Sequence, residues 1–248
     1  MPQNPQRVAI ITGGTRGIGR QVARRLTADG YSVALAYAGN DEAAHTTLRE
    51  LTDHGADALA RRADVADEHD VAALFDATEE TFGGIDVIVH AAGIMPLAPL
   101  VDLDLADLDA VLRTNVRGTF VVDQQAARRV RSGGAIINIS SSVTRFANPN
   151  NMAYIASKGA VQAMTLVLAR ELRGRDITVN AVAPGATETE MLDKFVTEGG
   201  NRARDAIAAG SPMERIGTPD DIAEVVVFLA GPARWINGQV IFANGGAI

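Results

Sequence analysis

Short apolar runs rich in valine, isoleucine and alanine alternate along the chain with longer stretches in which apolar residues recur at helical spacing. The short runs read as strands and the longer ones as amphipathic helices, and their regular alternation is the pattern of a parallel sheet built from crossover units. Strands are predicted near 7–12, 32–37, 57–63, 86–90, 134–140, 176–182 and 238–243. Helices are predicted near 17–29, 41–54, 67–82, 104–131 (broken around 112–114), 152–173, 190–209 and 219–230. Gly30, Gly55, Gly83-Gly84, Gly133-Gly134 and Gly174 each fall where a helical stretch gives way to an apolar strand, the place of a terminating glycine. No repeat, low-complexity linker or change of composition marks a boundary, so residues 1–248 are expected to form a single domain. Its expected class is α/β: a Rossmann-type doubly wound sheet of about seven mainly parallel strands with helices on both faces.

One segment departs from this rhythm. Between Pro184-Gly185 and Pro219 the chain leaves the sheet and carries the flexible stretches Glu198-Gly199-Gly200-Asn201 and Gly210-Ser211-Pro212. A long excursion at the carboxyl edge of a parallel sheet usually serves a ligand, so a helical substrate flap is expected at about 186–214.

Composition narrows the class. Hydrophobic residues make up 47% of the chain and aromatic ones only 4%, which suits strands covered on both faces by helices. A formal charge of −7 argues against nucleic acid as a partner, and the doublets Arg24-Arg25, Arg61-Arg62 and Arg128-Arg129 are scattered rather than gathered in a patch. The absence of cysteine excludes disulfides, thiolate catalysis and cysteine–zinc sites, and fits a cytoplasmic protein. The first residues lack the apolar core of a signal peptide, and no run is read as approaching the ~18 apolar residues of a membrane span, so no membrane is expected. The histidines at 45, 54, 69 and 90 show no ligand spacing, and no metal is expected.

Chemistry enters with Thr12-Gly13-Gly14-Thr15-Arg16-Gly17-Ile18-Gly19, directly after the first strand. A strand, a Gly13-x-x-x-Gly17-x-Gly19 turn and a helix bring backbone N–H groups and a helix N-terminus against a pyrophosphate. Asp64-Val65, after the third strand, is placed to accept from an adenine amino group and to pack its ring, while His90-Ala91-Ala92-Gly93, after the fourth, leaves room for a ribose. An NAD site normally carries a carboxylate at the end of the second strand for the ribose 2′-hydroxyl. That strand ends Ala36-Tyr37-Ala38-Gly39-Asn40, with no acid before Asp41, which reads as a helix start. Together with Arg16 this favours NADP(H), with NAD(H) as the alternative.

Tyr154 and Lys158 are i and i+4 on one predicted helix, so both side chains project from the same face. An ammonium beside a phenol stabilises the phenolate and is expected to lower its pKa from ~10. Ser140-Ser141-Ser142 closes the preceding strand, where a hydroxyl can hold a carbonyl oxygen beside that phenol.

With these motifs the chain resembles the short-chain dehydrogenase/reductase family, in particular its 3-oxoacyl-(acyl-carrier-protein) reductases and related ketone reductases. The resemblance covers residues 6–246 and includes Asn115-Val116-x-Gly118, Asn180-x-Val182-x-Pro184-Gly185, Thr189 and Gly238-Gln239-Val240. It implies Tyr154 as general acid in reduction, Ser141 as the donor that orients the carbonyl oxygen, Lys158 as ribose binder and tuner of Tyr154, and Asn115 as support for a relay water. It implies Pro184, Gly185 and Thr189, with Thr187 nearby, at the nicotinamide end of the cofactor. The expected substrate pocket comprises Met95, Leu97, Ser142, Val143, Phe146, Asn151, Met191 and Phe195, compatible with aryl ketones, β-keto esters or short acyl thioesters. His90 replaces the Asn that often begins Asn-Asn-Ala-Gly in this family and reads as a structural substitute.

The reaction so implied is NADPH-dependent reduction of a small carbonyl compound, free or carried on an acyl-carrier protein. Arg128-Arg129-Val130-Arg131-Ser132-Gly133-Gly134 is more compact than in carrier-protein reductases. An NAD-dependent alcohol or sugar dehydrogenase on the same scaffold is the alternative, distinguished by its cofactor. A non-catalytic nucleotide sensor would be expected to have lost Ser141, Tyr154 or Lys158, and none is lost. The apolar helix 219–230 and last strand, which relatives bury against a second subunit, imply a homotetramer.

Overall fold

Seven strands make one sheet: β1 (Val8–Thr12), β2 (Ser32–Tyr37), β3 (Ala58–Arg62), β4 (Ile85–His90), β5 (Val130–Ile139), β6 (Thr178–Pro184) and β7 (Val240–Ala243). The structure, a computed structural model, describes residues 6–196 and 200–248, without the side chain of Phe195. The strands lie in the order β3-β2-β1-β4-β5-β6-β7, and every pairing is parallel. β1, β4 and β6 are buried along their whole length because helices cover both faces, which is why they read as unbroken apolar runs.

The helices are α1 (Gly17–Ala28), α2 (Asp41–Asp53), α3 (Glu68–Phe82), α4 (Leu105–Val111), α5 (Gly118–Arg129), α6 (Val143–Phe146), α7 (Met152–Glu171), α8 (Glu190–Val196), α9 (Gly200–Ala209) and α10 (Pro219–Ala230). Neighbouring residues of a strand face opposite layers. Ala9 and Ile11 pack with Val22 and Leu26 of α1 and Val226 and Leu229 of α10, whereas Ile10 packs with Leu74 and Phe75 of α3 and Val122 of α5. Each large side chain sealed in these layers contributes roughly 1.5–3 kcal/mol. The strand order reverses between β1 and β4, so the crevice for a ligand opens at the carboxyl edge there. The loops after β1, β4, β5 and β6 all converge on it.

Three elements differ from the sequence reading. The helix expected over 104–131 is not broken near 112–114; α4 runs through a π-helical turn, Leu112–Arg117, into α5, and the extra residue per turn brings Asn115 inward. β5 begins at Val130, so Gly133 lies within a strand instead of closing a helix. A short α6 follows Ser142 where none was expected.

By length and composition α7 is long and apolar enough to cross a membrane, contrary to the expectation that no run would be. Here it packs on β6 and holds Tyr154 and Lys158 buried within the fold. Beyond β6, α8 and α9 make up the helical part of the excursion. Its base is stapled by a bridge between Thr187 and Gly217, with Glu188 N donating to Gly217 O at 2.9 Å and Gly217 N to Ala186 O at 3.0 Å. Glu198 and Gly199, of the first flexible stretch, lie outside the described residues.

Candidate active site

The turn after β1 fits the phosphates of a dinucleotide. A Cβ on Gly19 would fall 2.2 Å from the Gly13 carbonyl oxygen, and Gly13 has φ of +64° with the Ala92 backbone 3.0 Å from where its Cβ would stand. Any side chain at either position would collapse the cradle. The first turn of α1 has no acidic residue, and its N-cap, Arg16, makes no side-chain capping bond, whereas α2, α3 and α10 each carry a capping side chain and acids in the first turn. The N–H groups that open α1 are thus left for an anion. Gly17 meets the flap directly, since its Cβ position lies 3.3 Å from Thr189 Cγ2. Thr15 is buried in the turn, and its carbonyl accepts from Thr47 Oγ1 at 3.2 Å.

The predicted cofactor residues gather along this edge. Tyr37 ends β2, Asn40 caps α2 by accepting from Ala43 N, and Val65 is buried. Asp64 is already engaged: Oδ2 pairs with Arg113 Nη1 at 2.6 Å and Oδ1 accepts from Ala66 N. Thr12 Oγ1 accepts from Ala92 N at 3.2 Å and shares a hydrogen bond with His90 Nδ1 at 2.8 Å, while His90 Nε2 is buried without a partner. Burial, with the Lys158 charge adding to it, holds His90 at about 3, so it is a neutral strut between β1 and the Ala91-Ala92-Gly93 turn. Pro184 and Gly185 close β6, with Gly185 2.9 Å from Asn244 by its Cβ position. Thr187 Oγ1 donates to Gly185 O, and Thr189 Oγ1 donates to Thr187 O while accepting from Leu192 N at the start of α8.

Asn115, Ser141, Tyr154 and Lys158 meet at the head of α7, all buried. The Tyr154 phenol shares a hydrogen bond with the Ser141 hydroxyl. Lys158 Nζ donates to Ile139 O at 2.7 Å and stands 5.7 Å from the centre of the Tyr154 ring. The Asn115 carboxamide is tied to both the N–H and the carbonyl of Ile94, at 2.9 and 3.0 Å, and donates to Ser157 Oγ at 3.0 Å. The Asn115 backbone carbonyl accepts from Thr119 Oγ1 at 2.6 Å. What Asn115 visibly does is lock the turn after β4 to α7.

The expectation that Lys158 would depress the Tyr154 pKa needs correction. Burial pushes the phenol up to about 12, only the Ser141 hydrogen bond works against it, and burial brings Lys158 down to about 8. The Lys158 ammonium is turned to the Ile139 carbonyl, and desolvation dominates at Tyr154. At neutral pH Tyr154 is therefore a protonated donor.

Of the predicted pocket, Met95, Val143 and Met191 are half-buried and Leu97 and Phe146 exposed. Ser142 and Asn151 are buried, and Asn151 Oδ1 has no partner. The side chain of Phe195 lies outside the described residues. The sequence reading missed Gln162, whose Nε2 donates to Ser140 Oγ and Thr144 Oγ1, both at 3.0 Å, bracing the serine loop against α7. Its spacing of i+4 from Lys158 was the available signal. It also missed the buried Asp123–Asn138–Thr165 group beneath β5, which has no local motif.

This fold and site define a dinucleotide-binding oxidoreductase. The profile of a family described as Enoyl-(Acyl carrier protein) reductase matches residues 13–247. A 3-oxoacyl-(acyl-carrier-protein) reductase of Staphylococcus aureus is 40% identical over 96% of this chain and 96% of its own length. A short-chain type dehydrogenase/reductase of Picea abies is 39% identical over 98% and 92%. The crystal structure of a short chain dehydrogenase from Burkholderia cenocepacia J2315 in complex with NADP superposes with a TM-score of 0.91 at 40% identity, covering 98% of each chain. The chain belongs to the short-chain dehydrogenase/reductase family.

Proposed function

We propose that the protein reduces a small ketone or β-ketoacyl thioester to a secondary alcohol with NADPH, Tyr154 serving as general acid. The observation that carries this reading is a phenol held protonated by burial, hydrogen-bonded to Ser141 and gathered with Asn115 and Lys158 at the head of α7. NADPH, when bound, supplies hydride to the carbonyl carbon. Gly13, Thr15, Arg16, Gly17, Ile18 and Gly19 would hold its pyrophosphate, Asp64 and Val65 its adenine, Ala91, Ala92 and Gly93 the ribose edge, and Pro184, Gly185, Thr187 and Thr189 the nicotinamide end. Ser141 and Tyr154 donate to the same carbonyl oxygen, orienting it and stabilising the charge that develops there. Tyr154 then gives up its proton, and Lys158, close behind it, offsets the phenolate that forms. The complex of the Burkholderia relative with NADP supports this cofactor choice.

Two of the three arginines at the junction of α5 and β5 are engaged within the chain: Arg129 pairs with Asp76 at 2.5 Å and Glu79 at 3.1 Å, and Arg131 with Asp86 at 2.5 Å. That leaves Arg128 as the one exposed arginine there without an ion pair among the described residues, which supports a free small molecule over a carrier-bound substrate. Two separate apolar faces support a homotetramer. One carries Phe228 of α10 and Trp235, and the other Phe120 of α5 with Leu166 and Val167 of the adjacent α7. Two self-complementary faces generate 222 symmetry. The absence of cysteine supports a cytoplasmic site of action.

Initial rates with NADPH and NADH against an acetoacetyl thioester, a β-keto ester, an aryl ketone, a quinone and an enoyl thioester test the proposal. An alcohol product with higher kcat/KM for NADPH is expected. Preference for NADH, or reduction of the carbon–carbon double bond alone, would overturn it.

A further inference from the structure

A guanidinium reached from the neighbouring strand stands where an NAD-binding fold places its ribose carboxylate. β2 and β3 pair in register with Tyr37 opposite Arg62, and Arg62 Nε donates to the carbonyl of Ala38, the first residue beyond β2, at 3.0 Å. A carboxylate at the end of β2 binds the 2′-hydroxyl of NAD, and an arginine nearby accommodates the 2′-phosphate of NADP. Arg62 is anchored through Nε alone, and its two Nη groups form no ion pair among the described residues. Of the other guanidiniums on this edge, Arg113 pairs with Asp64 and Arg16 Nη1 faces Glu190 Oε2 at 3.5 Å, while the adjacent Arg61, which forms no ion pair among the described residues, projects from the opposite face of β3. Of the acids flanking this edge, Asp64 is held by Arg113 and Asp41, at the start of α2, accepts from the Tyr37 hydroxyl.

We propose that Arg62, on β3, is the principal residue selecting a 2′-phosphorylated adenosine, its Nη groups meeting the phosphate oxygens while Nε stays on Ala38. Arg16 plays the lesser part, because a phosphate must draw it away from Glu190. A planar guanidinium held at one nitrogen keeps two parallel donors for a tetrahedral oxyanion, the geometry that makes arginine–phosphate pairs both strong and directional. The inference rests on the NADPH reading above and names the residue behind it.

Calorimetric Kd values of NADP+ and NAD+ for the whole protein, its Arg62→Met variant and its Arg62→Lys variant test the assignment. Arg62→Met keeps the apolar stem and removes the charge. It should weaken NADP+ about tenfold or more, the worth of a charge-assisted pair, while NAD+ changes by less than about twofold. Arg62→Lys should recover part of the loss. Equal weakening of both cofactors would show that Arg62 only braces the turn after β2, and an unchanged NADP+/NAD+ ratio would show that the phosphate is held elsewhere; either overturns the assignment. The ratio across variants is read whichever cofactor the unaltered protein favours, so tighter NAD+ binding by that protein would sink the NADPH reading separately.

Discussion

Around Tyr154 the side chains of Lys158, Asn115 and Ser140 are buried and tied to the backbone of other elements, whereas the excursion from Ala186 to Gly217 buries Thr187, Leu192, Val196 and Ser211 and carries its ion pairs in solvent. Lys158, Asn115 and Ser140 bind carbonyls or amides of β5, α7 and the turn after β4. In the excursion, Arg204 joins Glu188 at 2.6 Å and Asp193, and Arg215 grips Asp221 at 2.6 and 2.7 Å, all with exposed carboxylates. Buried hydrogen bonds in a low-dielectric surround lose their full value when one partner goes, while exposed ion pairs contribute ~0–1 kcal/mol each. The same chain thus has a floor that fixes geometry and a wall whose ion pairs add little to its hold. Substitutions at the floor should cut rate or stability sharply, and those in the wall should change access.

The largest effect is expected at the phenol. Tyr154→Phe keeps the ring that fills its buried site and removes the transferable proton, so kcat should fall by ~10²–10⁴. NADPH affinity by calorimetry and the thermal midpoint should stay near those of the unaltered protein. Retained turnover with an intact fold would place the acid elsewhere.

Beneath the floor, Asp123 is the next point of strain. It accepts from Asn138 Nδ2 at 3.0 Å, its other oxygen is buried without a partner, and so is Asn138 Oδ1. Burial pushes its carboxyl up to about 7, and the Asn138 bond only partly opposes this. With ~3.9 in the unfolded chain, the folded state holds an extra proton between those values. The contribution is fully present below about pH 4, is lost as pH rises to about 7, and is level above that, roughly 4 kcal/mol in all. Urea unfolding of the unaltered protein and Asp123→Asn at pH 5 and pH 8 isolates this from carboxylates that act in the opposite sense, such as Asp221, which Arg215 holds low. Between pH 5 and pH 8 the difference between the two proteins should change by roughly 3 kcal/mol, the part of the contribution that remains at pH 5; parallel curves would mean that Asp123 is ionised throughout.

What the sequence made legible divides along the same line. All seven strands and the helices that cover them were readable because burial on both faces writes itself as unbroken apolar runs, and the Tyr154/Lys158 pair because helical spacing is local. The π-helical turn around Asn115 was not, since a single extra residue per turn leaves no period to detect. Arg62 looked like half of a scattered doublet because its role depends on which residue of β2 it lies beside, a matter of register between strands. The Tyr154 pKa was misjudged for a related reason. Proximity of Lys158 was visible in the spacing, but the depth of burial that outweighs it belongs to the assembled fold.

The smallest effect is expected in the wall, where we propose that residues 186–214 act as a lid over the substrate. No residue of α9 is buried, so this helix gains little from its present position. The bridge of Thr187 to Gly217 and the bond from Ser211 Oγ to Gly245 O at 2.9 Å fix the two ends, leaving α8 and α9 to move between them. Arg204 links α9 to Glu188 and Asp193 and is the cross-brace of that closed position. Arg204→Ala should therefore raise KM by about two- to fivefold, the worth of exposed pairs, with kcat for bound substrate little changed. Hydrogen exchange should quicken in α8 and α9 of the variant and leave β1, β4 and β6 untouched. In the unaltered protein, exchange in the same helices should slow when NADPH and a substrate analogue bind together, as closure shields them from water. Exchange equally slow in the free enzyme and the complex would make the segment a fixed wall, and the contrast between floor and flap would then be one of composition alone.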